Sequence, residues 1–220
     1  MKRIGRYWLM SLLAVSGVFA AEEATMETPA EPAVETAAVA APVWLPPAII
    51  AFGDVDEQLA LRAQQWTEQN LAFSVPLLDP QYTARFSSLD EVAQFAATLL
   101  ETNRVGLVVL WRPTSDASNH GAHYPDLRVS VANLNAMFTP DTDAEKIERR
   151  VERQAIRGVC LLFGLEPSPN PYSAMFNYSN LEELDAIGRN LDPPWLKRVQ
   201  EKAVALGISI FPDSVYNMMQ

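Results

Sequence analysis

Cysteine is almost absent from this chain. Cys160 stands alone, so no internal disulfide can form and stability has to come from packing. Histidine is nearly as scarce, with His120 and His123 the only two, three positions apart in one stretch. Positive charge is also short. The chain has 17 Lys and Arg against 27 Asp and Glu, a net charge of −10. No cluster of Lys and Arg forms a basic patch, which argues against nucleic acid as a partner. No apolar run is long enough to span a bilayer; the longest, Trp8 to Phe19, is too short for a membrane helix.

That run has another reading. Lys2, Arg3 and Arg6 precede it, and Val18-Phe19-Ala20 puts small residues at the −3 and −1 positions of a cleavage site, so residues 1–20 read as a secretory signal peptide. No cysteine follows to carry a lipid, and export to periplasm or medium is the expectation. Removing Lys2, Arg3 and Arg6 with this segment lowers the basic count from 17 to 14 against the same 27 acidic residues. Residues 21–47 hold five Glu, no basic residue and many Ala, Thr and Pro without apolar periodicity, the composition of a disordered, solvated tether. The folded domain is expected over residues 48–220, long enough for one core.

Patterning within the domain alternates strand and helix. Ala48–Phe52 is a short apolar run, and Asp54 with Glu57 predicts a capping box for a helix reaching about Asn70. Leu71–Leu78 reads as a strand stopped by Asp79-Pro80. Ser88 with Glu91 opens a second helix whose Val92, Phe95, Ala96 and Leu99 keep helical spacing. Val105–Trp111 is a buried strand, residues 113–125 a loop, and Leu127–Ala132 alternates as a half-exposed edge strand does. Thr142 with Glu145 begins a long helix ending at Gly164, and Asp192-Pro193 begins a last helix ending at Gly207. The order is βαβαββα, then a loop and a helix, an α/β domain with a mixed sheet of about four strands.

The end of the long helix carries the most specific signal. Metalloproteases of the metzincin type share the pattern H-E-x-x-H-x-x-G-x-x-H, with three zinc ligands and a general base. Gly164 occupies the glycine of that frame. Counting from it, the three ligand positions hold Arg157, Leu161 and Pro167, and the Glu position holds Gly158. Beyond it, Ser168, Ser173, Met175, Ser179-Asn180, Leu181-Glu182-Glu183 and Asp185 keep the spacing of the archaemetzincins, which the chain resembles over about thirty residues. A weaker likeness runs from Ile49 to Leu134, where Ile-Ile-Ala-Phe-Gly-Asp-Val-Asp and Val-Gly-Leu-Val-Val-Leu resemble the family's first and third strands. The resemblance implies a zincin-like fold with Met175 as the Met-turn methionine. It also implies loss of both metals, because Ser168 and Ser173 stand where the family has cysteines for a second, structural zinc. A zinc metallopeptidase without its ligands and base is expected to be inactive and to need no cofactor.

Three further candidates deserve weighing against that expectation. His120 and His123, with Asp116 and Asp126 nearby, could bind Zn²⁺ or Cu²⁺, although loop histidines are usually solvated. Cys160 falls among Val159, Leu161 and Leu162 and reads as core rather than nucleophile. Arg157 would repel a cation and suits a carboxylate or a peptide terminus. The expected function is that of an exported pseudoprotease that binds a peptide or an envelope protein in a relict cleft. In zincins the strand before the long helix is the sheet edge to which substrate adds, here Leu127–Ala132. Two other readings remain: a hydrolase rebuilt on His120, His123 or Arg157, and a purely structural envelope protein whose cleft is filled by side chains, as Leu161 and Phe163 suggest.

Overall fold

A mixed four-stranded sheet divides the domain into two layers of helix. The computed structural model describes residues 43–82, 85–113, 119–140 and 142–212; the signal and nearly all of the tether lie outside them. The strands are β1 (Ala48–Gly53), β2 (Leu107–Arg112), β3 (Gly121–Tyr124) and β4 (Val129–Asn133), in the spatial order β1-β2-β4-β3. β1, β2 and β4 run parallel, and β3 returns antiparallel to β4. The parallel strands are apolar on both faces because both faces are covered. Ala48, Ile50, Leu107, Val109, Trp111, Val129 and Val131 pack toward α2 (Leu89–Thr98). Ile49, Ala51, Val108, Leu110 and Ala132 pack into the larger core with α1 (Glu57–Leu71), α3 (Ala144–Leu162) and α5 (Pro193–Ala205).

The caps explain where these helices begin. Asp56 accepts from the Leu59 amide at α1 and Ser88 from the Glu91 amide at α2. Asp143 accepts from the Lys146 amide at α3, one residue beyond the Thr142 expected from sequence. The α2 box is completed when Glu91 accepts from the Ser87 amide, each such cap stabilising its helix by about 0.5–2 kcal/mol. At the end of α3, Gly164 adopts φ +67°, the Gly164 amide bonds Leu161 O and the Leu165 amide bonds Cys160 O. The left-handed conformation is why glycine sits there.

Three expectations change. Residues 71–78 form no strand: Leu77 and Gln81 make isolated bridges to Ile49 and Phe52, because Pro76 and Pro80 have no N–H to donate to a ladder. This segment nevertheless covers the outer edge of β1, with the Leu78 amide on Ile49 O and the Gln81 amide on Ala51 O. Leu127–Ala132 is not the edge. Its strand residues belong to β4, buried between β2 and β3, and the true edge is β3, inside the stretch read as loop. The polar residues that suggested exposure are satisfied internally. Arg128 lies outside β4 at φ +54° and donates to Arg104 O at 2.7 Å, while Ser130 is buried facing α3. Finally, residues 43–47, read as the end of the tether, join the domain: Trp44 packs on the core and the Leu45 amide bonds Asn103 O.

Candidate functional site

An open cleft of about 390 Å³ lies between β3 and α3, lined by His120 and His123 on one side and Gln154, Arg157, Gly158 and Leu161 on the other, with Tyr178 beside them. Helical spacing puts residues 154, 157, 158 and 161 on one face of α3. Strand alternation puts His123 opposite Ser130 on the face turned to α3, while Tyr124 turns the other way and donates to Asp90 at 2.6 Å. The site thus collects Arg157, Gly158, Leu161, His120 and His123. Pro167 is exposed and does not line the cleft.

Arg157, Gly158 and Leu161, the positions singled out by the metzincin-like frame, each have contacts of their own. Arg157 Nη1 donates to Phe176 O at 3.0 Å and Nη2 to Asn177 Oδ1 at 2.9 Å, so the guanidinium holds the segment after the Met-turn, with Tyr178's ring 5.8 Å from it. Burial lowers its pKa, and no ion pair to Arg157 occurs among the described residues. At position 158 a Cβ would stand 2.9 Å from Val108 Cγ1 and 3.3 Å from Ser130 Oγ, so glycine permits close packing of α3 on the sheet and leaves no room for a glutamate. Leu161 is half-buried in the cleft wall, which stays open.

The two histidines are held differently from each other. His120 stacks on Tyr178, ring centroids 5.6 Å apart at 19°, and its backbone O accepts from the Asn133 amide. His123 Nδ1 is buried with no hydrogen-bond partner. Burial lowers both pKa values, aided for His120 by the Arg150 charge, which keeps the imidazoles neutral near pH 7. No third imidazole, thiol or carboxylate joins them in a metal-binding group among the described residues; Asp116 lies outside those residues. The catalytic zinc of the metzincin pattern does not fit a guanidinium, a leucine and an exposed proline at Arg157, Leu161 and Pro167.

The segment around Met175 is held by hydroxyl-to-backbone hydrogen bonds and by burial. Ser168 and Ser173 are buried, and their hydroxyls accept from the Asn170 amide at 3.1 Å and the Met175 amide at 3.3 Å. Met175 is fully buried in the main core. Ser179-Asn180-Leu181-Glu182-Glu183 is a helix start: Asn180 accepts from the Glu183 amide and Glu183 from the Ser179 amide at α4 (Leu181–Ala186). Asp185 then forms a two-pronged pair with Arg150 of α3 at 2.8 and 2.7 Å. Cys160 is fully buried and its thiol is pushed well up by burial, which removes it as a nucleophile.

No known family model and no curated protein matches the sequence. Solved structures do. Archaemetzincin from Methanopyrus kandleri superposes with a TM-score of 0.59 at 17% identity, over 74% of this chain and 97% of that one. A zinc-dependent peptidase from Methanocorpusculum labreanum gives 0.58 at 15%, over 70% and 99%. The fold is that of the archaemetzincins. A third structure, archaemetzincin from Archaeoglobus fulgidus complexed with malonate, gives 0.51 at 13% identity, over 70% and 99%. Within this archaemetzincin fold, sequence reading missed Gln154 and Tyr178. The first could be found by stepping one turn back from Arg157; the second needed the tertiary path of the Met-turn.

Proposed function

We propose that this is an exported, non-catalytic protein of archaemetzincin fold that binds an extended peptide in the cleft between β3 and α3. The observation that carries the reading is an open cleft lined by Arg157, Gly158 and Leu161, at the positions where the metzincin pattern would place two ligands and the base. Hydrolysis by a metal-activated water needs ligands and a base. Arg157, Leu161 and Gly158 supply neither. β3 supplies the docking edge. Since the Asn133 amide bonds His120 O, the alternation of an antiparallel ladder turns the N–H and C=O of Gly121 and His123 away from β4. No described residue hydrogen-bonds to them there, so a peptide can add as a further strand. Residues 1–20 support export. The open cleft weighs against the filled, purely structural alternative.

The test is a randomised hexapeptide pool incubated with purified protein. No cleavage is expected with or without zinc, and a fraction of the pool should be retained. Cleavage that vanishes with chelator and returns with zinc would defeat the non-catalytic reading, and absence of any retained peptide would defeat the binding one.

A further inference from the structure

Among the described residues no Asp or Glu lines the cleft, although Arg157 stands in its wall. The guanidinium gives one bond to Phe176 O and one to Asn177 Oδ1, and with five N–H donors in all it has donors left over. A partly buried cation without a counter-charge is desolvated at a cost that an incoming anion would offset. Two neutral groups beside it are also incompletely satisfied. Gln154 is only 8% exposed, lines the cleft, and its Nε2 makes no hydrogen bond. The Tyr178 hydroxyl is close enough to feel this amide, but an –NH₂ group carries two donors, so at least one remains. His123 Nδ1 is the second such atom, buried and unpartnered on the facing strand.

We infer that the cleft is a carboxylate-recognition site, in which Arg157, Gln154 and His123 hold the free C-terminal carboxylate of a peptide paired along β3. This rests on the peptide-binding reading above and adds which end of the peptide is held. The charge count favours carboxylate over phosphate: one guanidinium with neutral partners matches a single negative charge, whereas a phosphate dianion calls for more cations. The geometry favours a terminus. Gly121 and His123 offer outward backbone groups for the residues before it, and Arg157 and Gln154 lie across the cleft from them.

The experiment passes the hexapeptide pool over immobilised full-length protein in two forms, free acid and C-terminal amide, with acetate as a third probe followed by NMR of the Gln154 and Arg157 side-chain N–H groups. The free-acid pool should be retained at least about tenfold better than the amide, the difference expected for one charge-assisted contact. Arg157→Met should remove the preference. Because Arg157 also holds the Met-turn segment and its loss could unfold the protein, Gln154→Met serves as the second variant and should reduce the preference in a protein that melts normally. Equal retention of acid and amide overturns the carboxylate inference and leaves peptide binding intact. A response to acetate with neither peptide form retained overturns the peptide source and the reading beneath it. No response to any probe overturns both.

Discussion

Met175 has none of its exposed surface left, and Ser173 and Ala174 beside it are equally enclosed. The methionine is therefore part of the main core. Met175→Ala should destabilise the protein by about 2–5 kcal/mol, the range for large-to-small core substitutions. Denaturant unfolding checks this; an unchanged midpoint would show that the Met-turn is not a packing element here. Gly158 and the two serines follow the same logic. The missing side chain at Gly158 lets α3 approach the sheet, and the hydroxyls of Ser168 and Ser173 bond backbone amides. Gly158, Ser168 and Ser173 thus each contribute packing or a hydrogen bond, whereas Leu161 lines the open cleft and Pro167 is exposed.

At the scale of elements, α4 and the Met-turn segment are tied to α3 by charge. Arg150 is 3% exposed, with Asp185 as its counter-ion, and Lys146 adds a contact to the same carboxylate at 3.1 Å. Removing one member of a buried pair leaves an uncompensated charge. Asp185→Ala should therefore cost about 3–5 kcal/mol, whereas the paired replacement Arg150→Met with Asp185→Leu should cost far less. Thermal melts of both variants test this, and equal losses would show that side-chain volume matters here rather than charge. A second such anchor lies nearby. Glu152, 1% exposed, accepts from Arg62 of α1 at 3.0 Å and from Arg189 at 3.1 Å. Together these pairs explain how α3 can bury Arg150 and Glu152.

For the molecule as a whole, acid should act in two stages of the same sign. His120 and His123 have folded-state pKa values lowered by burial from the ordinary 6.5, with Arg150 further opposing protonation of His120 and Arg157 lining the same cleft. The unfolded chain then binds more protons than the folded one. Stability is full above about pH 6.5 and falls as pH drops from there toward the folded values. Asp185 adds the second stage. Burial alone would raise its pKa, but hydrogen bonds from Arg150 and Lys146 outweigh that and hold it below the ordinary 3.8. Its contribution is present above 3.8 and disappears as pH falls through the lower folded value. Melting midpoints between pH 8 and pH 3 should fall in both windows, and a His120→Leu/His123→Leu variant should lose the upper step only. A midpoint that rises between pH 7 and pH 5 would contradict the histidine assignment.

The sequence by itself determined the periodic parts: the existence of the long helices, the Ser88 cap, the two apolar parallel strands and the glycine ending α3, whereas the caps expected at Asp54 and Thr142 lie at Asp56 and Asp143. Those signals are local, because capping, helical spacing and left-handed glycines involve residues a few positions apart. Tertiary structure alone decided the rest. Gly121–Tyr124 has too few apolar residues to announce a strand, and only its pairing with β4 makes it the edge. Pro76 and Pro80 reduced a predicted strand to two bridges beside β1. Leu127–Ala132 read as half-exposed because pattern cannot tell a polar side chain in water from one satisfied inside, as Arg128 is on Arg104 O. Bringing His123 and Gln154 to one cleft likewise required the sheet to turn back antiparallel and lay β3 across from α3. Such long-range juxtaposition leaves no periodic trace in the chain.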